Sequence, residues 1–376
     1  MSAFYPDDLK YMARAIKLAE KGRYTTSPNP CVGCVIVKHG QIIGEGFHIQ
    51  AGGPHAEINA LNQVKANGES PEGATAYVTL EPCSHTGKTP PCANALINAK
   101  VAKVIVGMED PNPLVSGRGI EMLRDAGIAV HAGCLEDACQ KINPGFNQRM
   151  NHKRPFVQLK LAASLDGRTA MASGESKWIT SYQARKDVQN YRAQACAILT
   201  GSGTVLADNP SLNVRESDFY QPDYPADKLR QPVKIVIDNQ AKITPDLNIF
   251  NDNACVYLVG NKQQRYAAEH NWSENTHFIH LNGESNKVDL TAVMAELAKL
   301  QINQIWVEAG AKLAGALIKQ NLVDELIIYQ APKLLGENTK GLLDIADLTE
   351  LNQAIEWQYK DVRQIGPDLR ITLRAK

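Results

Sequence analysis

The chain has no excess of either charge: Lys plus Arg and Asp plus Glu each number 40, and the formal net charge is zero. Proteins that bind polyanions generally carry a basic excess, so no nucleic-acid partner is expected, although a local basic pocket for one phosphate stays compatible. No apolar run approaches the roughly 20 residues that span a bilayer, so no membrane partner is expected. The opening MSAFYPDDLKYMARAIKLAEKG lacks the charged-then-apolar pattern of a secretory signal, which points to a cytoplasmic protein. Eight cysteines in 376 residues are too sparse for a small disulfide scaffold and are expected to stay reduced. There is no tandem repeat, no low-complexity tract, and no G-x-G-x-x-G opening a helix after a first strand. What remains is a globular composition, 44% hydrophobic and 21% charged, in a chain long enough that two domains are the default and three are allowed.

Against that background one constellation stands out. His55-Ala56-Glu57 is followed by Pro82-Cys83 and then Pro91-Cys92. One imidazole and two thiols make a three-ligand zinc set, which leaves a fourth coordination position for water. Zinc lowers the pKa of such a water to roughly 7. Glu57 is two residues from His55 and need not be a ligand, so it is free to move protons as the catalytic acid/base. Zinc-dependent nucleobase deaminases use H-x-E followed by P-C-x-x-C. The first half is present; the second departs from it, because eight residues separate Cys83 from Cys92. Spacing alone leaves open a structural zinc serving a binding module, or two unrelated cysteines. His85, two residues from Cys83, is a rival ligand.

Patterning divides the chain into two α/β halves. In the first, helical spacing runs from Asp7 to Lys21, a hairpin is expected around His39-Gly40, and His55 opens a second helix. A strand over 74–80 leads into the Cys83 loop; a helix over 93–99, the strand KVIVGM and the helix GIEMLRDAG follow. Alternating strands and helices imply a sheet covered on both faces. The polar stretch FNQRMNHKRPF reads as the seam, giving domains 1–150 and 151–376. The second half offers the strands FVQLKLAAS, VKIVIDN, ACVYLVG, QIWVEAG and DELIIYQAP, with three intervening helices; 216–231 reads as a surface loop. Gly201-Ser202-Gly203-Thr204 could cradle a phosphate or form a tight turn. The turn at Gly310 could present a helix N-terminus to an anion or simply join a strand to a helix.

Longer motifs add a family. TTSPNPCVGCVIV, AGGPHAEINAL, YVTLEPCSHTGKTPPC and GMEDPNPLVSGRGIEMLRDAGI resemble the deaminase half of the bacterial bifunctional riboflavin-biosynthesis deaminase/reductases. KLAASLDGRTA, AILTGSGTVLADNPSLNVR and LVDELIIYQAPKLLG resemble the reductase half, and the resemblance spans essentially the whole chain. It implies an N-terminal cytidine-deaminase-like three-layer α/β/α domain and a C-terminal dihydrofolate-reductase-like α/β domain, which accounts for the missing dinucleotide fingerprint. It implies Zn2+ and NADPH as cofactors, a small phosphorylated pyrimidine as substrate, and a homodimer. The reactions implied are zinc-dependent deamination of 2,5-diamino-6-(5-phosphoribosylamino)pyrimidin-4-one, then reduction of the ribosyl group to ribityl. A nucleic-acid base deaminase with an accessory domain is the alternative enzyme.

By motif position, the resemblance implies that Ala162, Trp178, Thr204, Asp208, Gly310, Ala311, Lys312 and Leu313 meet the nicotinamide cofactor. Ser176, Arg192, Leu212, Arg215 and Glu308 meet the sugar-phosphate. Arg192 and Arg215 offer forked donors suited to phosphate, Glu308 could accept from sugar hydroxyls, and Lys160 could add positive charge at the reaction centre. Lys312 could bind phosphate or point to water. Asn29, His48, His85 and Lys88 fall in motifs around the deaminase pocket and are expected to contact substrate. Cys31-Val32-Gly33-Cys34 looks like a C-x-x-C knuckle, but odd spacing along a strand sends its thiols to opposite faces. Cys34 is expected to be a small buried hydrophobe.

Overall fold

The computed structural model describes residues 4–84, 91–113, 115–175, 178–219, 229–261, 266, 271–283, 286–345 and 348–376. Among these, residues up to Lys153 form one compact unit and those from Arg154 a second.

The first unit contains α1 (Pro6–Ala19), β1 (Gly33–Lys38), β2 (Gln41–Phe47), α2 (Ala56–Ala66), β3 (Thr75–Val78), α3 (Cys92–Asn98), β4 (Lys103–Val106), α4 (Arg118–Asp125), β5 (Ala129–Ala132), α5 (Glu136–Ile142) and α6 (Pro144–His152). Its five-stranded sheet has the order β2-β1-β3-β4-β5. Pairing is antiparallel across β2, β1 and β3 and parallel across β3, β4 and β5. The β1–β2 turn uses His39 at φ 50° and Gly40 at φ 75°, the pair of left-handed residues that a two-residue hairpin needs.

Strand residues alternate between two cores, so the sheet is buried on both faces. Cys34, Ile36, Ala76, Val78, Val104 and Val106 pack with residues of α2, α3 and α4. Val35, Val37, Tyr77 and Ile105 pack with Tyr11, Met12 and Ala15 of α1 and Cys139 of α5. Cys34 is thus a buried hydrophobe, its thiol pushed well above the usual range by burial. The strand begins only at Gly33, so Cys31 precedes it; it sits 3.3 Å from the Thr26 hydroxyl.

The second unit contains β6 (Phe156–Ser164), β7 (Arg168–Ala170), α7 (Tyr182–Gln194), β8 (Ala197–Gly201), α8 (Ser202–Asp208), β9 (Val233–Ile237), β10 (Val256–Asn261), β11 (Thr276–Leu281), α9 (Leu290–Lys299), β12 (Gln304–Glu308), α10 (Ala311–Lys319), β13 (Glu325–Ala331), β14 (Lys340–Gly341), β15 (Trp357–Ile365) and β16 (Asp368–Ala375). The nine-stranded sheet runs β11-β10-β9-β8-β12-β6-β13-β16-β15. It is parallel from β11 to β13 and antiparallel at β16 and β15. One face buries Leu159, Leu199, Ile235 and Val307 under α9 and α10. The other buries Ile198, Val236, Leu258, Trp306 and Tyr329 with Ala184 and Val188 of α7.

The expected seam differs in one respect. Residues 146–152 are helical, as part of α6, whose Gly145 and Phe146 are buried. The mixed polar composition hid a helix that begins with a proline at its first position, where the missing N–H costs no hydrogen bond. Arg154 then opens the second unit through a paired contact with Asp324, at 2.8 and 2.7 Å.

Helix α2 lies so close to β2 that a Cβ at Gly46 would sit 2.4 Å from Ala60 N and 2.5 Å from Ala56 O. Only glycine permits that approach, and the start of α2 carries the candidate ligand His55 and Glu57. Gly46→Ala is therefore expected to lift the helix. We expect a loss of about 1–3 kcal/mol, read by chemical unfolding of the full chain under far-ultraviolet circular dichroism, together with weaker zinc retention.

Candidate metal centre and substrate cleft

Three of the sequence-predicted residues converge in the first unit. His55 is the N-cap of α2, in extended conformation (φ −73°, ψ 169°). Cys92 is the first residue of α3, after Pro91 at φ −55°. Cys83 follows β3, in a segment whose Cys83 carbonyl accepts the Ala93 N–H at 3.3 Å. The donor atoms of His55, Cys83 and Cys92 all lie within 4.8 Å of one another. His55 Nδ1 is 3.6 Å from Cys83 Sγ and 3.3 Å from Cys92 Sγ. Tetrahedral zinc with ordinary Zn–S and Zn–N bonds needs an S···N separation of ~3.6 Å, so the set fits the ion in both donor type and spacing. The eight-residue interval between the cysteines is therefore no obstacle. Its residues His85 and Lys88 lie outside the described residues.

The electrostatics suit a cation. Cys83 Sγ accepts the backbone N–H of Cys92 at 3.3 Å, at the start of α3. Hydrogen bonds from Cys92 and His55 outweigh burial and draw the Cys83 thiol down to about 4. The hydrogen bond with Cys83 and the nearby Glu57 charge raise the His55 imidazole above its ordinary value, against burial. Glu57, on the first turn of α2, is only 3% exposed. Burial, and then the Cys83 charge, push its carboxyl up to about 7.

His48 and Asn29 form a pair. His48 Nδ1 is 3.0 Å from the Pro54 carbonyl and Nε2 is 3.1 Å from Asn29 Nδ2. The Pro54 carbonyl can only accept a hydrogen bond, so Nδ1 carries the hydrogen and Nε2 accepts from Asn29. Burial lowers the His48 pKa, in keeping with a neutral ring. His48 is 2% exposed and packs edge-on to His55, with ring centroids 5.2 Å apart. Both of its nitrogens are thus spent inside the protein. In this arrangement His48 orients Asn29 and backs His55.

The second unit contains a cavity of about 2370 Å³ at the carboxyl ends of β6, β8, β9 and β12, where ligands bind in open parallel sheets. A single small-molecule site usually takes about 300–1,000 Å³, so this one has room for a dinucleotide and a substrate together. Its wall includes Ala162, Trp178, Thr204, Asp208, Gly310, Ala311, Lys312 and Leu313 of the expected cofactor set. It also includes Lys160, Arg192, Leu212, Arg215 and Glu308 of the expected substrate set. Ser176 lies outside the described residues.

Two helices start at this wall. Gly201 is the N-cap of α8, so the Gly201–Thr204 stretch is a strand-to-helix junction that carries Thr204 and Asp208. Gly310 is the N-cap of α10, and Ala311, Lys312 and Leu313 form that helix's first turn. Free N–H groups and the helix dipole there favour an anion, which fits the phosphates of a dinucleotide. Lys312 makes no ion pair among the described residues. Trp178 is 64% exposed, with the Arg185 guanidinium 4.2 Å from its ring centroid.

The arginines are less free than their sequence positions suggest. Arg192 pairs with Glu308 in a fork, Nε to Oε1 at 2.6 Å and Nη2 to Oε2 at 3.0 Å, and Nη1 donates to the Asn213 carbonyl at 2.8 Å. Trp306 Nε1 donates to Glu308 Oε1 at 2.9 Å. Burial alone would raise the Glu308 pKa; Arg192, Lys160 and Trp306 together reverse that and hold it at about 2. The β12–β6 register sets Lys160 beside Glu308, and burial lowers the lysine's pKa. Glu308 therefore anchors Arg192 while itself lining the cavity. Arg215 Nε donates to Asp218 at 2.6 Å, and its backbone N–H is held by the buried Gln189. Leu212 takes φ 48° with a buried side chain, so its backbone is what it can offer the cavity.

Arg185 and Gln189 also line the cavity and were not singled out from sequence. Both face the same way as Arg192 along α7, at helical intervals of three and four, and that spacing was the available signal.

Both halves of the chain are similar to known proteins. The family described as "RibD C-terminal domain" matches residues 155–371. "Cytidine and deoxycytidylate deaminase zinc-binding region" matches residues 6–108. The riboflavin biosynthesis protein RibD of Haemophilus influenzae is 52% identical over 379 residues, covering 100% of both chains. That of Escherichia coli K12 is 52% identical over 369 residues, covering 97% of this chain and 99% of its own. Among solved structures, Acinetobacter baumannii RibD is similar with a TM-score of 0.89 at 43% identity, covering 98% of this chain and 99% of its own. With both halves matched and full-length relatives at this identity, the chain belongs to the RibD family of riboflavin biosynthesis proteins.

Proposed function

We propose that deamination takes place at His55, Cys83, Cys92 and Glu57 in the first half of the chain, and reduction in the cavity of the second. As a RibD-family enzyme the protein has both activities, deaminase and reductase, with Zn2+ and NADPH as cofactors. The observation that carries the site assignment is the convergence of three donors within 4.8 Å, with the buried Glu57 carboxylate outside that set. Domain limits near 150 follow the same reading.

Zinc supplies Lewis acidity, which brings the pKa of water down to about 7. Glu57 is then the proton carrier. It takes a proton from the attacking water, delivers it to the ring nitrogen beside the carbon under attack, and passes a proton to the departing amine. Water enters, ammonia leaves, and the ring carbon gains an oxygen. Its place two residues after the N-cap ligand keeps the carboxylate on the helix's first turn, next to the ligand but not bound by it. Asn29, steadied by His48, is suited to hold the pyrimidine.

When bound, NADPH would supply the hydride that the anomeric carbon of the ribosyl unit needs. The sugar ring oxygen must gain a proton as its bond to that carbon opens, and Lys160 can deliver it from Nζ. Arg192, fixed by Glu308, still has N–H groups free for the sugar-phosphate; Arg215 and the Leu212 backbone complete that end. The starts of α8 and α10, with Trp178 and Ala162, take the cofactor. We assign the substrate to a small phosphorylated pyrimidine and the setting to the cytoplasm; among the described residues no helix is long and apolar enough to cross a membrane. The exposed edge strand β15, which shows Tyr359 and Val362 to solvent, suits pairing with a second copy of the chain.

Glu57→Gln is expected to cut ammonia release by about 10²–10⁴-fold while zinc is retained and NADPH oxidation with deaminated substrate is unchanged. Ammonia release that survives in the zinc-loaded variant refutes the assignment and favours a structural metal. For Glu308, the folded-state pKa of about 2 lies below the ordinary 4.5. Its stabilisation is thus complete above about pH 5 and disappears as the pH falls towards 2, an effect of order 3 kcal/mol. Glu308→Gln should destabilise the second unit at pH 7, and its deficit against the unsubstituted protein should shrink on acidification to pH 3. All four tryptophans, at 178, 272, 306 and 357, lie in that unit, so tryptophan emission during urea unfolding reads it alone. Sedimentation between 1 and 100 µM, on the order of the range where such contacts form, tests the dimer; a monomer throughout contradicts it.

A further inference from the structure

We propose that Glu81 is a positioning residue for the metal centre, holding the Pro82–Cys83 segment at the height the ion requires. The proposal rests on the ligand set assigned above.

Glu81 is a carboxylate only 3% exposed. Its acceptor positions are filled by main-chain donors from one segment. Oε2 accepts from Asp110 N at 3.1 Å and Gly117 N at 2.9 Å; Oε1 accepts from Gly119 N at 2.8 Å and Ile120 N at 3.3 Å. Three of these donors lie at the start of α4, where free N–H groups and the helix dipole favour a negative charge. Its own N–H donates to the Met108 carbonyl at 3.0 Å.

The next residues inherit this anchorage. Pro82 is pressed onto α4 so closely that a Cβ at Gly119 would lie 1.9 Å from the Pro82 carbonyl oxygen. Cys83 comes next and is held from its other side by α3, through Ala93 N to its carbonyl and Cys92 N to its sulfur, each at 3.3 Å. The thiol is thus suspended between two helix starts, and the Glu81 carboxylate fixes one of them. A site of this kind must be held to within about 0.5 Å. Loss of an outer partner of a metal ligand typically costs 10–100-fold in metal affinity.

Glu81→Gln keeps the volume, but its amide NH2 must face two N–H donors in place of an acceptor. We expect zinc affinity, measured on the full chain by competition with a chromogenic chelator, to fall 10–100-fold. We also expect the thiolate-to-metal absorption of the Co2+-loaded chain to weaken or shift. Stability of the chelator-treated chain is measured alongside. A variant that is less stable without metal yet binds zinc with unchanged affinity and shows an unchanged cobalt spectrum overturns the proposal, because Glu81 would then serve the fold alone. Should Glu81→Gln not fold, Gly119→Ala decides: its methyl pushes on the Pro82 carbonyl and crowds Glu81 Oε1 at 3.3 Å, and unaltered zinc affinity there is equally fatal. Cys83→Ser is run in parallel. If it keeps zinc and the cobalt band, the ligand assignment itself fails; if it loses both while Glu81→Gln keeps both, only the role of Glu81 fails.

Discussion

Both candidate sites depend on one constraint: a helix that follows a strand, or caps a loop, begins with unsatisfied N–H groups. In the first unit α2 starts at His55 and α3 at Cys92, and the backbone of α3 donates directly to the Cys83 sulfur. A thiolate is stabilised there in the way a helix start stabilises any anion. In the second unit α8 and α10 start at Gly201 and Gly310, on the rim of the cavity. The chain carries the same electrostatic device twice, once beside the candidate sulfur ligands and once on the rim of the cavity.

Much of this was legible in the sequence because it is local. The β1–β2 hairpin announced itself by His39-Gly40, and the helix after His55 by its spacing. The three metal donors were legible by residue type. Their meeting across a long interval was not, since a loop's closure depends on the strands and helices that flank it. Nor could the sequence show that Arg192 and Glu308, 116 positions apart, form one forked pair. Each looked like a group waiting for substrate. Once both are buried at the same place, pairing is cheaper than leaving either charge alone. His48 is similar: its motif pointed to the pocket, but its hydrogen bonds to Pro54 and Asn29 had no sequence signature.

Elements built on partners rather than on their own pattern were missed. Strand β15 has a mostly exposed face, and its strand identity comes from its ladder with β16. Helix α6 reads as a polar linker until its proline start and its buried Phe146 are seen together. Glu81, in the middle of a recognisable motif, gave no sign of serving four backbone donors, because those donors carry no side-chain signature.

The order of strands in the second unit has a consequence for how the chain must be made. β6 lies in the interior of the nine-stranded sheet but is the first strand of its unit to be synthesised. Its two neighbours, β12 and β13, begin at Gln304 and Glu325. Until the ribosome has passed those positions, both hydrogen-bonding edges of β6 lack their final partners. Such non-local pairing slows folding, and open strand edges invite association with other chains. Lys160 and Glu308 can meet only after β12 has emerged, so the cavity floor waits until most of the polypeptide has been made.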